Sequence, residues 1–125
     1  MAKKVLVIED EPNIVEAISF ILSRDGWDVS VHANGETAAD TVRGGAPDVL
    51  ILDVMLPGRS GFEILQELRG EEATADLPVL MLTARGQKKD RDLAARLGVT
   101  RFMTKPFANA EVLEAVRDLA GNPAS

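Results

Sequence analysis

Short apolar runs alternate with amphipathic stretches along this chain. Residues 4–8 (KVLVI), 49–53 (VLILD) and 79–83 (VLMLT) are apolar at nearly every position. That pattern predicts strands covered on both faces. Residues 27–32 alternate instead, with Trp27, Val29 and Val31 predicted inward, as in a half-exposed strand. Residues 101–104 form a brief fifth strand before Pro106. Between them, apolar positions recur at helical spacing. Residues 13–25 carry Ile14, Val15, Ile18, Ile21 and Leu22 on one face, with Pro12 suited to the first turn and Gly26 to the end. Residues 36–43 predict a short helix stopped by Gly44 and Gly45. Residues 62–69 hold Phe62, Leu65 and Leu68 in register. Residues 88–97 are a charged helix ended by Gly98. Residues 112–120 close the chain with Val112, Leu113, Val116, Leu119 and Ala120 apolar.

Five strand–helix pairs in strict alternation predict an α/β fold, a parallel sheet with helices on both faces. Right-handed crossovers leave few topologies. The flavodoxin-like, doubly wound order 2-1-3-4-5 puts strands 1, 3 and 4 in the centre, and these are the most apolar. One domain is expected over residues 1–125, with an ordered core over about 3–120 and a frayed tail over 121–125. No repeat, low-complexity tract or linker interrupts it.

Composition narrows the function. The chain has 125 residues and a formal charge of −6, with 20 acids against 14 bases, which argues against direct nucleic-acid binding. It has no cysteine, so neither disulfides nor thiolate chemistry enter. The first apolar run is too short for a signal peptide or a membrane span. A cytoplasmic protein with no membrane contact is expected.

One feature of the pattern needs a chemical reason. The buried run Val49 to Leu52 ends on Asp53, and a buried charge is costly unless paired. In a sheet of this order, ligands sit at the carboxyl ends of the strands. Strand 1 ends into Glu9, Asp10 and Glu11, strand 3 at Asp53, strand 4 at Thr83, and strand 5 at Thr104, Lys105 and Pro106. Carboxylates, a hydroxyl and an ammonium therefore converge on one edge. Close carboxylates repel unless one is protonated or a cation joins them. A hard divalent ion such as Mg²⁺ suits oxygen ligands. Asp10 and Asp53 are the expected direct ligands, with the backbone carbonyl of Met55 a third.

Four stretches in this order, VLVIEDEP at 5–12, LDVMLPGRSG at 52–61, LTAR at 82–85 and TKPF at 104–107, give the chain an end-to-end resemblance. It resembles the receiver domain of bacterial two-component response regulators. The resemblance implies that Asp53 accepts a phosphoryl group from the phosphohistidine of a histidine kinase or phosphotransfer protein. It implies that Glu9 and Asp10 form the acidic pocket, with Asp10 on the metal and Glu9 acting partly through water. Thr83 matches the switch hydroxyl, Lys105 the phosphate-pairing lysine and Phe102 the switch aromatic. The peptide before the matching proline, Pro106, is usually cis in the family. A self-catalysed phosphotransfer and slow self-dephosphorylation follow, rather than conventional enzyme turnover. The output is a population shift in the face made by helix 4, strand 5 and helix 5. A complete shift needs about 5.5 kcal/mol of differential binding, and two or three charged contacts supply that order of energy. The output partner is not written in the sequence.

The chain departs from the family in one place. Gly98-Val99-Thr100-Arg101 stands where an acidic pair is common, and helix 5 carries Glu111, Glu114 and Ala115. The subgroup that drives winged-helix domains pairs an acid near 101 with a base on helix 5 across a dimer, so that dimer is not carried over. A monomer or a phosphorylation-dependent dimer remains open. Two other readings compete. A haloacid-dehalogenase-type phosphatase also uses an aspartyl phosphate but needs a second Asp where Met55 stands. A degenerate receiver serving only as an interaction module would lack Asp10, Asp53, Thr83 or Lys105. His32, the single histidine, reads as a surface strand-end residue, and Trp27 as packing. The run 87–91 (QKKDR) reads as a solvated face bordering the output surface. Helix 1, with Glu16 exposed, is the expected docking side for a kinase.

Overall fold

The computed structural model describes residues 2–84 and 86–123. Arg85 of the LTAR stretch, and the tail residues Ala124 and Ser125, lie outside the described residues, as does Met1. The elements run β1 (Lys4–Ile8), α1 (Pro12–Arg24), β2 (Asp28–His32), α2 (Ala38–Gly45), β3 (Val49–Asp53), α3 (Gly61–Arg69), β4 (Val79–Thr83), α4 (Lys88–Arg96), β5 (Arg101–Thr104) and α5 (Asn109–Ala120). All strand pairs are parallel, in the order β2-β1-β3-β4-β5. The doubly wound topology expected from the alternation is the one observed.

Alternation along each central strand divides the apolar residues between two layers. Val5, Val7, Val49, Ile51, Leu80 and Leu82 pack with Ile18 and Leu22 of α1 and Val112 and Val116 of α5. Leu6, Ile8, Leu50, Leu52, Val79 and Met81 pack with Val42, Ile64, Leu65, Leu68 and Ala94 of α2, α3 and α4. All of β3 and β4 is buried, as their unbroken apolar runs require. Each fully buried Leu or Ile contributes about 1.5–3 kcal/mol relative to exposure. The two layers thus fix the sheet edge rigidly.

The differences from expectation are local. Val31 on the outer strand is 45% exposed rather than inward, because β2 is an edge strand with little over its outer end. Gly44 and Gly45 do not stop α2; they lie in its last turn, which closes at Ala46 with a left-handed φ of 42° just before Pro47. The same helix starts at Ala38, two residues later than expected from Glu36. Helix α5 starts at Asn109, three residues early, because the backbone N–H of Ala108 donates to the Glu111 carboxylate at 2.9 Å. The tail is tied down through Pro123: the Lys3 N–H donates to the Pro123 carbonyl at 2.7 Å, and the Lys3 ammonium to the Ala120 carbonyl.

Candidate functional site

Register sets the site. Ile8 pairs with Leu52, Asp53 with Leu82 and Thr83 with Thr104, so β1, β3, β4 and β5 end on one line. The residues just beyond those ends share one edge. Gly61 helps to hold Asp53 there: the Gly61 N–H donates to the Val54 carbonyl at 2.8 Å, and a Cβ on Gly61 would lie 2.3 Å from the Asp53 carbonyl oxygen. Helix α3 can start against Asp53 only because position 61 has no side chain.

Carboxylate oxygens of Glu9, Asp10 and Asp53 lie within 4.8 Å of one another. Glu9 is fully buried, Asp53 is 2% exposed and Asp10 faces solvent. One oxygen of Glu9, Oε2, accepts from the backbone N–H groups of Asp10 at 2.9 Å and Glu11 at 3.2 Å. The ammonium of Lys105 lies 2.7 Å from Glu9 Oε1, 3.1 Å from Glu11 Oε1 and 3.2 Å from Asp53 Oδ1. Neither Glu9 Oε1 nor Asp53 Oδ1 receives a well-directed hydrogen bond, so the Lys105 ion pairs are what compensate both. The Lys105–Pro106 peptide is cis.

Three acids, Glu9, Glu11 and Asp53, thus share one base, and Asp10 stands beside two of them. Burial, reinforced by the charge of Glu9, pushes the Asp53 carboxyl up to about 7 even though Lys105 opposes the shift. Burial also pulls on Lys105, but Glu9, Asp53 and Glu11 outweigh it and raise that ammonium above its ordinary value. The site carries more negative charge than its own lysine balances. Two buried oxygens short of donors beside an exposed carboxylate fit a hard divalent cation with oxygen ligands. The same surplus suits a nucleophilic carboxylate waiting for an electrophile with its own cation.

Thr83 is 2% exposed at the end of β4, where its carbonyl accepts the Lys105 N–H at 2.7 Å. Phe102 is half-buried on β5 and packs against the layer under α4. Met55 is 64% exposed and lines an open cleft with Val54, Phe62 and Thr83. Two further residues, Glu11 among the acids after strand 1 and Arg91 in the run 87–91, have contacts here that the sequence does not specify. Glu11 is the third carboxylate on Lys105; its place two residues after Glu9, on extended backbone, was the available signal. Arg91 lies over the Phe102 ring, and nothing in the run QKKDR distinguished it from the other bases.

The sequence profile of the response regulator receiver domain matches residues 5–117. Solved structures agree over nearly the whole chain. The receiver domain of Klebsiella pneumoniae RstA, activated with BeF3, is 27% identical with a TM-score of 0.85, covering 94% of this chain and 97% of its own. The Vibrio cholerae chemotaxis protein CheY4 is 28% identical with a TM-score of 0.88, covering 95% and 99%. The receiver domain of the Pseudomonas aeruginosa sensor histidine kinase PA1611 is 26% identical with a TM-score of 0.88, covering 97% and 99%, and holds a magnesium ion in its active-site cleft. Among the described residues of the present chain, no helix is long and apolar enough to cross a membrane.

Proposed function

This chain belongs to the response regulator receiver domain family, the phosphoacceptor switches of two-component signalling, and on that footing we propose that Asp53 is its acceptor. The observation that carries the reading is the buried Asp53 carboxylate sharing Lys105 with Glu9 while Asp10 stands beside both. Glu9, Asp10 and Asp53, with the backbone carbonyl of Met55, would hold Mg²⁺, which when bound neutralises charge between the acids and the incoming phosphoryl group.

A carboxylate oxygen of Asp53 attacks phosphorus on the phosphohistidine of a kinase or phosphotransfer protein. The P–O bond forms as the P–N bond breaks, and the electron pair leaves with the donor nitrogen, which takes up a proton. Lys105, already 3.2 Å from Asp53 Oδ1, pairs its ammonium with a phosphoryl oxygen. The Thr83 hydroxyl then donates to another, and the space it leaves lets Phe102 turn inward. The face of α4, β5 and α5 changes and engages the output partner, an interaction that needs no direct contact with nucleic acid. Slow hydrolysis of the acyl phosphate resets the switch in the cytoplasm. Helix α1, with Glu16 exposed, faces the phosphodonor. On the output face Arg101 is paired with Asp118 of its own α5 at 3.0 Å, and a monomer or a phosphorylation-dependent dimer is the state this reading expects.

Intact-mass measurement after incubation with acetyl phosphate and Mg²⁺ tests the reading. The wild type gains one phosphoryl mass, and neither Asp53→Asn nor wild type in chelator does. An equal gain in Asp53→Asn contradicts it.

A further inference from the structure

Arg91 stands on the first half of α4, between two acids in sequence, yet its partners are a carbonyl, a hydroxyl and a ring. Its Nε donates to the Gly86 carbonyl at 3.3 Å, and an Nη donates to Thr104 Oγ1 at 3.1 Å. Its guanidinium carbon lies 5.7 Å from the centroid of the Phe102 ring, within cation–π range. The knot is tight: a Cβ on Gly86 would meet Thr104 Oγ1 at 2.7 Å and the Arg91 guanidinium at 3.4 Å. One side chain therefore ties together α4, the exit of β4, and β5 at two positions.

We infer that Arg91 is a positioning residue that clamps the resting state of this switch. The inference rests on the reading that Thr83 and Phe102 move on phosphorylation. Thr83 precedes Gly86 by three residues, and Phe102 and Thr104 flank Met103 on the strand paired with β4. Turning the Phe102 ring inward takes it from under the guanidinium. Moving Thr83 toward a phosphoryl group pulls on the segment whose carbonyl Arg91 holds. The inference places the three contacts in the resting arrangement, and contacts made in one state only are what set the balance between two states. A lysine at 91 would keep the charge but lose the planar fork that reaches carbonyl and hydroxyl together.

The test measures affinity for beryllofluoride, a phosphoryl mimic, by calorimetry in saturating Mg²⁺, with Mg²⁺ affinity measured separately. Arg91→Ala binds beryllofluoride about three- to tenfold more tightly than wild type, with Mg²⁺ affinity unchanged. Arg91→Lys moves the same way. So does Gly86→Ala, which pushes Thr104 and Arg91 apart without touching charge. The sign is diagnostic, because removing a cation near an anion site would by charge alone weaken binding. Unchanged or weaker binding by Arg91→Ala and Gly86→Ala overturns the clamp while wild-type binding leaves the acceptor reading intact. Failure of the wild type itself to bind beryllofluoride overturns both.

Discussion

Two acid-rich clusters lie on this molecule, and they behave oppositely. Between α2 and α3, Arg43 contacts Asp40, Glu67 and Glu71, while Arg59 contacts Glu67 and Glu63. At the sheet edge, Lys105 contacts Glu9, Glu11 and Asp53, with Asp10 alongside. Each cluster has four acids and too few bases. In the first, hydrogen bonds from Arg59 and Arg43 hold Glu67 below its ordinary value, and those from Arg43 do the same for Glu71. In the second, burial drives Asp53 up to about 7. Surplus acid alone does not mark a functional site. What differs is water: the helix-surface cluster is solvated, whereas Glu9 and Asp53 are almost sealed from it. Charge that neither solvent nor protein neutralises is what the proposed cation and phosphoryl group would compensate.

If burial is the difference, removing the base should matter at one cluster and hardly at the other. Lys105→Met leaves Glu9 and Asp53 buried with no cation, and in chelator it costs about 3–5 kcal/mol of unfolding free energy. The same variant binds Mg²⁺ more tightly than wild type, since it has lost a competing charge. Urea unfolding with and without Mg²⁺ measures both effects. A metal-free loss below about 1 kcal/mol would place the site among ordinary surface clusters.

The next effect runs in the opposite direction. Asp53→Asn in chelator is more stable than wild type by roughly 1–3 kcal/mol above neutral pH. The folded state raises Asp53 from 3.8 to about 7, so the folded protein binds that proton more tightly than the unfolded chain does. Relative to Asn, wild type therefore loses stability as pH rises from about 4 to about 7 and no further. Asp25, Glu67 and Glu71, all lowered, have the opposite slope, but they are common to both proteins and cancel in the difference. A flat difference across that window would mean Asp53 is not destabilised by burial. Arg43→Ala has the smallest effect of the set. Its contribution is screened by salt, and unfolding curves at low and high ionic strength should converge on that of wild type.

The contrast also explains what was legible in the sequence. Uninterrupted apolar runs at 49–52 and 79–83 can be satisfied only by central strands, so topology and the line of strand ends followed directly. Asp10, Asp53, Thr83 and Lys105 are legible because each stands at or just past the same end of a predicted strand. Glu11 and Arg91 did not stand out, because their roles depend on side-chain reach across elements rather than on position in a pattern. Arg91 reads like Lys88 or Lys89 until Phe102 and Thr104 are placed beneath it. The stop of α2 was misplaced for a similar reason: Gly44 and Gly45 look like terminators, yet Ala46 takes the left-handed position before Pro47.

The central claim is that one of four clustered acids, Asp53, carries the phosphoryl group. The most direct test phosphorylates the protein with acetyl phosphate and Mg²⁺, reduces the acyl phosphate with borohydride, and maps the peptides by mass. The account predicts homoserine at position 53 and nowhere else. Reduction at Glu9, Asp10 or Glu11, or no reduced residue in protein that has gained the phosphoryl mass, would contradict it.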